Sequence, residues 1–392
     1  MKTIAFITSI ANSVANFRGA LIRDLVARGD RVLALAPDWD ETQRALTRAC
    51  GAEPIDISLE RAGMRPLRDL RDAARLRRQL DDLKPDVTFS YFAKPVIYGT
   101  LAARAARVPR RIAMIEGLGF VFTEGDGAQT ARRRALRVAA MGLYRLALGA
   151  AHRVILLNRD DAAQFVEARL VDPVKVEILG GIGVDLDVFD AAPPLPGPPV
   201  FLMVARLLRE KGVREYVRAA EQVRARHPQA RFVLLGGRDP NPGGLTEAEV
   251  DAIVQGGIVE WQGQVDDVPR WIRNASVFVL PSYREGVPRS TQEAMAMGRP
   301  IVTTTAVGCR ETVEEGINGF MVPPRDANAL AAAMTRLIEQ PTLIPVMGAA
   351  SRAMAKARFD VHAINRRLIA IIDEDTPQQT RPLMVASPPP SD

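Results

Sequence analysis

Apolar and polar positions follow two rhythms along the chain. Short runs rich in Val, Ile and Phe, such as TIAFITS, DRVLALAP, DVTFSY, RRIAMIEG and RVILLN, are separated by longer stretches such as RGALIRDLVARG, whose apolar residues recur at helical spacing. Continuous apolar runs suit strands buried on both faces, and their alternation with helices predicts a parallel sheet covered on both sides. The rhythm breaks at residues 190–199, DAAPPLPGPP, where five prolines and a glycine exclude regular structure. It restarts with VFLMVAR, EYVRAAEQVRAR, RFVLLGG, GIVEWQG, SVFVLPS, PIVTTT and GFMVPP. The pattern predicts an α/β protein with one doubly wound domain over residues 1–190, a linker over 191–199 and a second domain over 200–352. A helix over 353–375 returning to the first domain and a tail over 376–392 complete it. Two such domains facing each other leave a cleft at the carboxyl ends of their strands, where open parallel sheets bind ligands.

The segment PSYREGVPRSTQEAMAMGRP holds the strongest chemical signal. Residues 276–281 read as a strand and 290–297 as a helix stopped by Gly298 and Pro300, which places Glu285 in the loop and Glu293 in the first helical turn. Ser290-x-x-Glu293 also fits a capping box, so Glu293 alone decides nothing. Glu285, beside Gly286, has no such structural role. Carboxylates accept paired hydroxyl donors, and a helix N-terminus offers N–H groups to phosphate. The combination describes a nucleotide sugar. In VARLLREKG, Arg206 follows the first strand of the second domain and Lys211 precedes Gly212, a basic turn suited to a diphosphate but also ordinary on a surface.

Composition narrows the picture. The 392 residues exceed one ordinary core, and 47% apolar with 25% charged residues is the balance of a globular protein. Cys50 and Cys309 have neither metal-ligand spacing nor enough partners for a disulfide framework, which points to a reducing cytoplasm. The N-terminus lacks a signal-peptide cleavage pattern, and no apolar run is long enough to span a bilayer. The net charge is +6, and residues 128–159 hold seven arginines (Arg132, Arg133, Arg134, Arg137, Arg145, Arg153 and Arg159) without one acid. Aromatics, 5% of residues, do not interleave with them, so nucleic acid is not an expected partner. On a helical wheel of residues 131–150, Leu136, Leu143 and Leu146 share one face. Arg133, Arg134, Arg137, Met141, Tyr144 and Leu148 crowd the other, a mixture suited either to an anionic membrane surface or to a solvated basic face. The first loop, SIANSVANFRG, lacks the GxGxxG spacing of a dinucleotide site.

With REGVPRSTQEAMAMGRPIVTT, the segment carries the E-x7-E signature and resembles the family 4 glycosyltransferases of GT-B fold. It closely resembles one bacterial subgroup, which includes the N-acetylgalactosaminyltransferases that extend bacillosaminyl-diphospho-undecaprenol along with other enzymes of surface-polysaccharide assembly. The likeness continues through GGIGVDLDVF, VARLLREKG, GQVDDVPRWI, GCRETVEEGINGFMVPPRD, ANFRG, YFAKPVIYGTLAA and EGLGFVF, nearly the whole chain. It implies two Rossmann-like domains and retaining transfer of a hexose or N-acetylhexosamine. The donor would be a nucleotide-diphosphate sugar, expected to be UDP-linked, and the acceptor a polyprenyl-diphosphate-linked sugar at the inner face of the cytoplasmic membrane.

By that resemblance Glu285 contacts the donor sugar and Glu293 the ribose, Arg206 and Lys211 grip the diphosphate, and Val265 lies near the base. Amides near Gly286, Val287, Arg289 and Ser290 face sugar or diphosphate. Pro288 stands where many relatives have glycine and removes one donor. Asn16 and Arg18 are expected at the acceptor's phosphates, although Asn16 equally suits a helix cap. Where many members carry a histidine, this chain has Glu116, either a general base or a scaffold for the GLG turn. No cofactor or metal is implied: two fixed cations replace one, and Asp185-x-Asp187 falls at the family's hinge. An epimerase of the same fold and an inactive scaffold are the alternatives.

Overall fold

The computed structural model describes all residues but 60–65, 118–130, 194–195, 240, 242 and 375–392, with backbone alone for residue 66 and residues 131–137. The chain forms two compact units, one of Met1–Ile178 with the stretch from Arg366 onward, the other of Leu179–Asn365.

The first unit is built on strands β1 (Thr3–Ile7), β2 (Arg31–Ala36), β3 (Ala52–Asp56), β4 (Val87–Tyr91), β5 (Arg110–Ile115), β6 (Arg153–Leu156) and β7 (Val176–Ile178). They lie in the order β3-β2-β1-β4-β5-β6-β7, every pair parallel. The second is built on β8 (Val200–Val204), β9 (Arg231–Leu235), β10 (Val259–Trp261), β11 (Val277–Leu280), β12 (Ile301–Thr304) and β13 (Gly319–Val322), ordered β10-β9-β8-β11-β12-β13, again all parallel. The central strands are buried on both faces, which is why they read as unbroken apolar runs. In each sheet the strand order reverses once, between β1 and β4 and between β8 and β11. Loops at the carboxyl ends of strands flanking such a reversal splay apart, and that is where these sheets take ligands.

The units divide at Ile178, twelve residues before the proline-rich stretch that the composition suggested as the linker. Residues 179–190 pack with the second unit: Val184 N donates to Phe359 O at 2.8 Å and Val361 N to Val184 O at 3.2 Å. Gly183, at φ +81°, lies so close to this segment that a Cβ would fall 2.9 Å from Val361 Cα. The prolines therefore sit in a loop within the second unit, punctuating the chain without dividing the fold. Asp185 closes a local turn, its carboxylate accepting from Asp187 N at 3.1 Å and Val188 N at 3.3 Å.

The helical pattern of residues 353–375 is likewise not one helix. Helix Leu343–Arg358 stops at buried Phe359, and helix Val361–Asp373 starts after the bridge to Val184. The end of that second helix belongs to the first unit, where Arg110 Nε donates to Ile371 O at 3.1 Å and Arg28 Nη1 pairs with Asp373 at 2.6 Å. The expected tail, residues 376–392, lies outside the described residues. Among the described residues no helix is long and apolar enough to cross a membrane.

Candidate active site

The second sheet assembles most of the sequence-predicted residues at one edge. Arg206 leaves the carboxyl end of β8, and Gly236, just past β9, lies against it: a Cβ there would sit 1.8 Å from Ala205 O, at a φ of +139°. Arg206 pairs with the buried carboxylate of Asp239, whose other oxygen accepts from Asn241 N at 2.9 Å. Gly236 N donates to Gly263 O at 2.7 Å, which draws the loop after β10, with half-buried Val265, to the same edge.

The basic turn is fixed by close backbone approach. Gly212, at φ +73°, brings the chain so near the end of β11 that a Cβ would stand 2.1 Å from Pro281 O. Tyr283 N donates to Glu210 O at 2.8 Å. Lys211 is thereby delivered to Glu285, and its ammonium donates to Glu285 Oε1, which also accepts from Ser282 Oγ at 2.7 Å. From the other side Glu285 N donates to Val307 O at 3.0 Å, while Thr304 Oγ1 donates to Ser282 O at 2.6 Å. Gly308 completes the clamp, with room for no Cβ because Glu285 O would be 2.2 Å away. Behind the loop lies Cys309, whose thiol is pushed up to about 12 by burial and by the charge of Glu285. It is a packing residue, not a nucleophile.

Helix Arg289–Ala296 starts from Pro288 without a side-chain cap, so the capping-box alternative for Ser290 and Glu293 is not what the structure builds. Glu293 instead pairs with Arg289, one turn earlier, at 2.8 Å. Burial outweighs that pairing and holds the Glu293 carboxyl above its ordinary value. Gln292, which the sequence reading passed over, orients the turn. Its Nε2 donates to Val287 O at 3.1 Å and its Oε1 accepts from Gly183 N at 3.1 Å. Asp239 was also missed, because a carboxylate among glycines and prolines shows no partner in the sequence. Both predicted cations have a carboxylate, Arg206 with Asp239 and Lys211 with Glu285, and Arg289, expected for its amide, pairs through its side chain with Glu293. A diphosphate would compete for the first two, and hydroxyls for the acids.

The first unit treats its candidates differently. Arg18, in helix Asn12–Ala27, is only 1% exposed; it pairs with Glu116 at the end of β5 and lies 4.8 Å above the Tyr91 ring. Ser13 Oγ lies 3.0 Å from Tyr91 Oη, and burial, which outweighs the opposing effects of Arg18 and Ser13, raises the Tyr91 hydroxyl. An acceptor phosphate, the contact expected of Arg18, would have to compete with this internal ion pair. Glu116 is the other member of that pair. Asn16 is exposed within that helix, Nδ2 donating to Asn12 Oδ1 at 2.7 Å, and is not its cap. Gly117 is exposed, while residues 118–119 of the GLG turn lie outside the described residues.

The wheel reading of helix Ala131–Ala150 is also corrected. Tyr144 and Leu148 are buried, Tyr144 packing edge-on to Phe165 at 5.8 Å, whereas Val138 and Leu146 face outward. Ala140, Tyr144, Ala147 and Leu148 recur at i, i+4, i+7 and i+8 and make the true buried stripe. The side chains of Arg132, Arg133, Arg134 and Arg137 lie outside the described residues.

Two family models match the chain, a glycosyl transferase 4-like domain over residues 14–181 and glycosyl transferases group 1 over residues 198–340. The chain belongs to the glycosyltransferases. It is 29% identical over 383 residues, 94% of its length and 98% of the relative's, to the N,N'-diacetylbacillosaminyl-diphospho-undecaprenol alpha-1,3-N-acetylgalactosaminyltransferase of Campylobacter jejuni. It is 25% identical over 290 residues, 71% of this chain and 72% of the relative, to the UDP-Gal:alpha-D-GlcNAc-diphosphoundecaprenol alpha-1,3-galactosyltransferase of Escherichia coli. Its fold is that of GT-B enzymes such as sucrose-phosphate synthase from Thermosynechococcus elongatus, with a TM-score of 0.78 at 22% identity over 95% of this chain and 98% of that one.

Proposed function

We propose that this glycosyltransferase moves a hexose or N-acetylhexosamine from a UDP-sugar to a polyprenyl-diphosphate-linked sugar, with retention of configuration, as a peripheral enzyme at the inner face of the cytoplasmic membrane. The observation that carries the reading is the meeting of Lys211 with Glu285 at the reversal between β8 and β11, with Arg206 just past the carboxyl end of β8. The names of the two bacterial relatives, both acting on diphospho-undecaprenol sugars, support the acceptor class, and the second supports the UDP donor.

In this mechanism the bond from the sugar's anomeric carbon to the diphosphate oxygen breaks as an acceptor hydroxyl bonds to that carbon on the same face. The hydroxyl's proton passes to the departing diphosphate. Charge grows on the leaving group, and fixed cations help most where charge is growing. Each cation about 4 Å from a phosphate oxygen contributes roughly 4 kcal/mol at an effective dielectric near 20, before desolvation. Arg206 and Lys211 supply two, and we read the transfer as metal-independent. Glu285, released from Lys211, turns to the donor sugar's hydroxyls, and Glu293 to the ribose.

The test pairs binding with product. UDP should raise the melting temperature of the wild-type chain, and Glu285→Ala should stay folded but lose transfer. A lipid-linked glycan one sugar longer, with the donor's anomeric configuration by NMR, is the expected product. A UDP-sugar converted without any elongated lipid would instead show an epimerase.

A further inference from the structure

Helix Pro66–Leu83 packs against helix Thr100–Ala105 of the first unit, and helix Ala131–Ala150 packs on that same neighbour. Its first turns depart from amphipathic order. Two acids point inward, Asp69 accepting from Lys94 Nζ at 2.7 Å and Asp72 from Ser58 Oγ at 2.7 Å, and Leu76 and Leu80 continue the buried stripe. Two leucines point outward instead: Leu67 is 77% exposed and Leu70 61%. Around them stand Arg68, Arg71, Arg75, Arg77 and Arg78, all exposed, and the outward acids, Asp81 and Asp82, come only in the last turn.

A helix made only to be solvated keeps carboxylates outside and leucines inside. One exposed leucine is ordinary, but two on successive turns stand here beside Arg71 and Arg78, with Arg68 and Arg75 near Asp72 and Arg77 near Asp81, an apolar strip edged by guanidiniums. That pairing matches the boundary of an anionic bilayer, where acyl chains take the leucines and headgroup phosphates take the guanidiniums. We infer that residues 67–78 of this helix are the surface by which the protein docks on an anionic phospholipid membrane. The inference deepens the proposed lipid-linked acceptor and rests on it.

Flotation of the full chain with vesicles tests this, comparing phosphatidylcholine alone with phosphatidylcholine containing phosphatidylglycerol. The wild type should float with the anionic vesicles only, and less as salt is raised. Leu67→Ser/Leu70→Ser and Arg71→Gln/Arg78→Gln change outward side chains, so both should keep the melting temperature and the response to UDP. The arginine variant should partition about thirtyfold more weakly, each cation near the surface counting for about fivefold. Undiminished flotation of both variants would overturn the inference, as would equal binding to neutral vesicles or loss confined to Val138→Ser/Leu146→Ser. A chain that floats as expected but ignores every nucleotide sugar would sink the transferase reading and leave the surface standing. Elongation of the lipid-linked acceptor by a chain that never floats would sink the surface alone.

Discussion

Glu293 is held in a costly state. Its carboxyl is raised above 4.5 because burial outweighs the attraction of Arg289. A group whose folded value lies above its unfolded one contributes stability below the unfolded value and loses it as pH rises through the folded one. Wild-type stability should therefore carry a penalty at neutral pH that a neutral side chain avoids. Glu293→Gln is expected to melt no lower than wild type at pH 8, with the difference between them shrinking as pH falls toward 4.5. The same variant should bind UDP more weakly, since an amide replaces the acceptor for ribose hydroxyls. Melting curves across pH with and without UDP check both halves. A variant less stable than wild type at pH 8 would show that the Arg289 pairing dominates after all.

At the scale of elements, the site depends on where two loops touch the end of β11. Gly308 stands at φ +79° with Glu285 O and Gly286 O in the place of a Cβ, so Gly308→Ala must push the glutamate loop away. Strain of this kind costs about 1–3 kcal/mol, and the displaced Glu285 should lower transfer far more than the melting temperature suggests. Assay beside calorimetry separates the two effects. A second element carries a pH switch in stability. His152 Nδ1 accepts from Arg111 N at 3.1 Å, which requires that nitrogen unprotonated, and burial with the charge of Arg111 lowers the imidazole to about 4. The unfolded chain takes up the proton first, so this contribution is full above about 6.5 and lost as pH falls toward 4. His152→Asn keeps an acceptor and should flatten that part of the stability profile. Eleven of the thirteen strands and the existence of two units were legible in sequence because each follows from local pattern, while the meeting of Lys211 with Glu285, 74 positions apart, followed from the family resemblance alone. The pairing of Arg18 with Glu116 was not, because the partners stand 98 positions apart and nothing local marks either as buried. The outward face of helix Ala131–Ala150 misled for a related reason: its leucines lie on both sides, and only packing against Phe165 chooses between them.

For the whole molecule, the chain passes from the first unit to the second after Ile178 and back after Asn365. The returning piece is structural. Leu368, Ile371 and Ile372 are buried, and Arg110 and Arg153 hold the last residue before the undescribed tail, Glu374, at 3.0 and 2.8 Å. Lys2 and Arg28 reach Asp373 from the amino-terminal strand and its neighbourhood. The exposed pairs at Asp373 are weak individually, about 0.2–1 kcal/mol each, and the three apolar side chains dominate. Removing residues 366–392 should destabilise the first unit by roughly 5 kcal/mol, an upper figure from area burial alone. That is comparable with the entire stability of a domain. The second unit loses none of its strands or site residues by that cut. Limited proteolysis of the truncated chain should therefore digest the first unit and leave a fragment from about residue 179 that UDP still protects. Intact resistance of both units would mean that the terminal helix adds little, and loss of UDP protection would mean that the donor site needs the first unit in place.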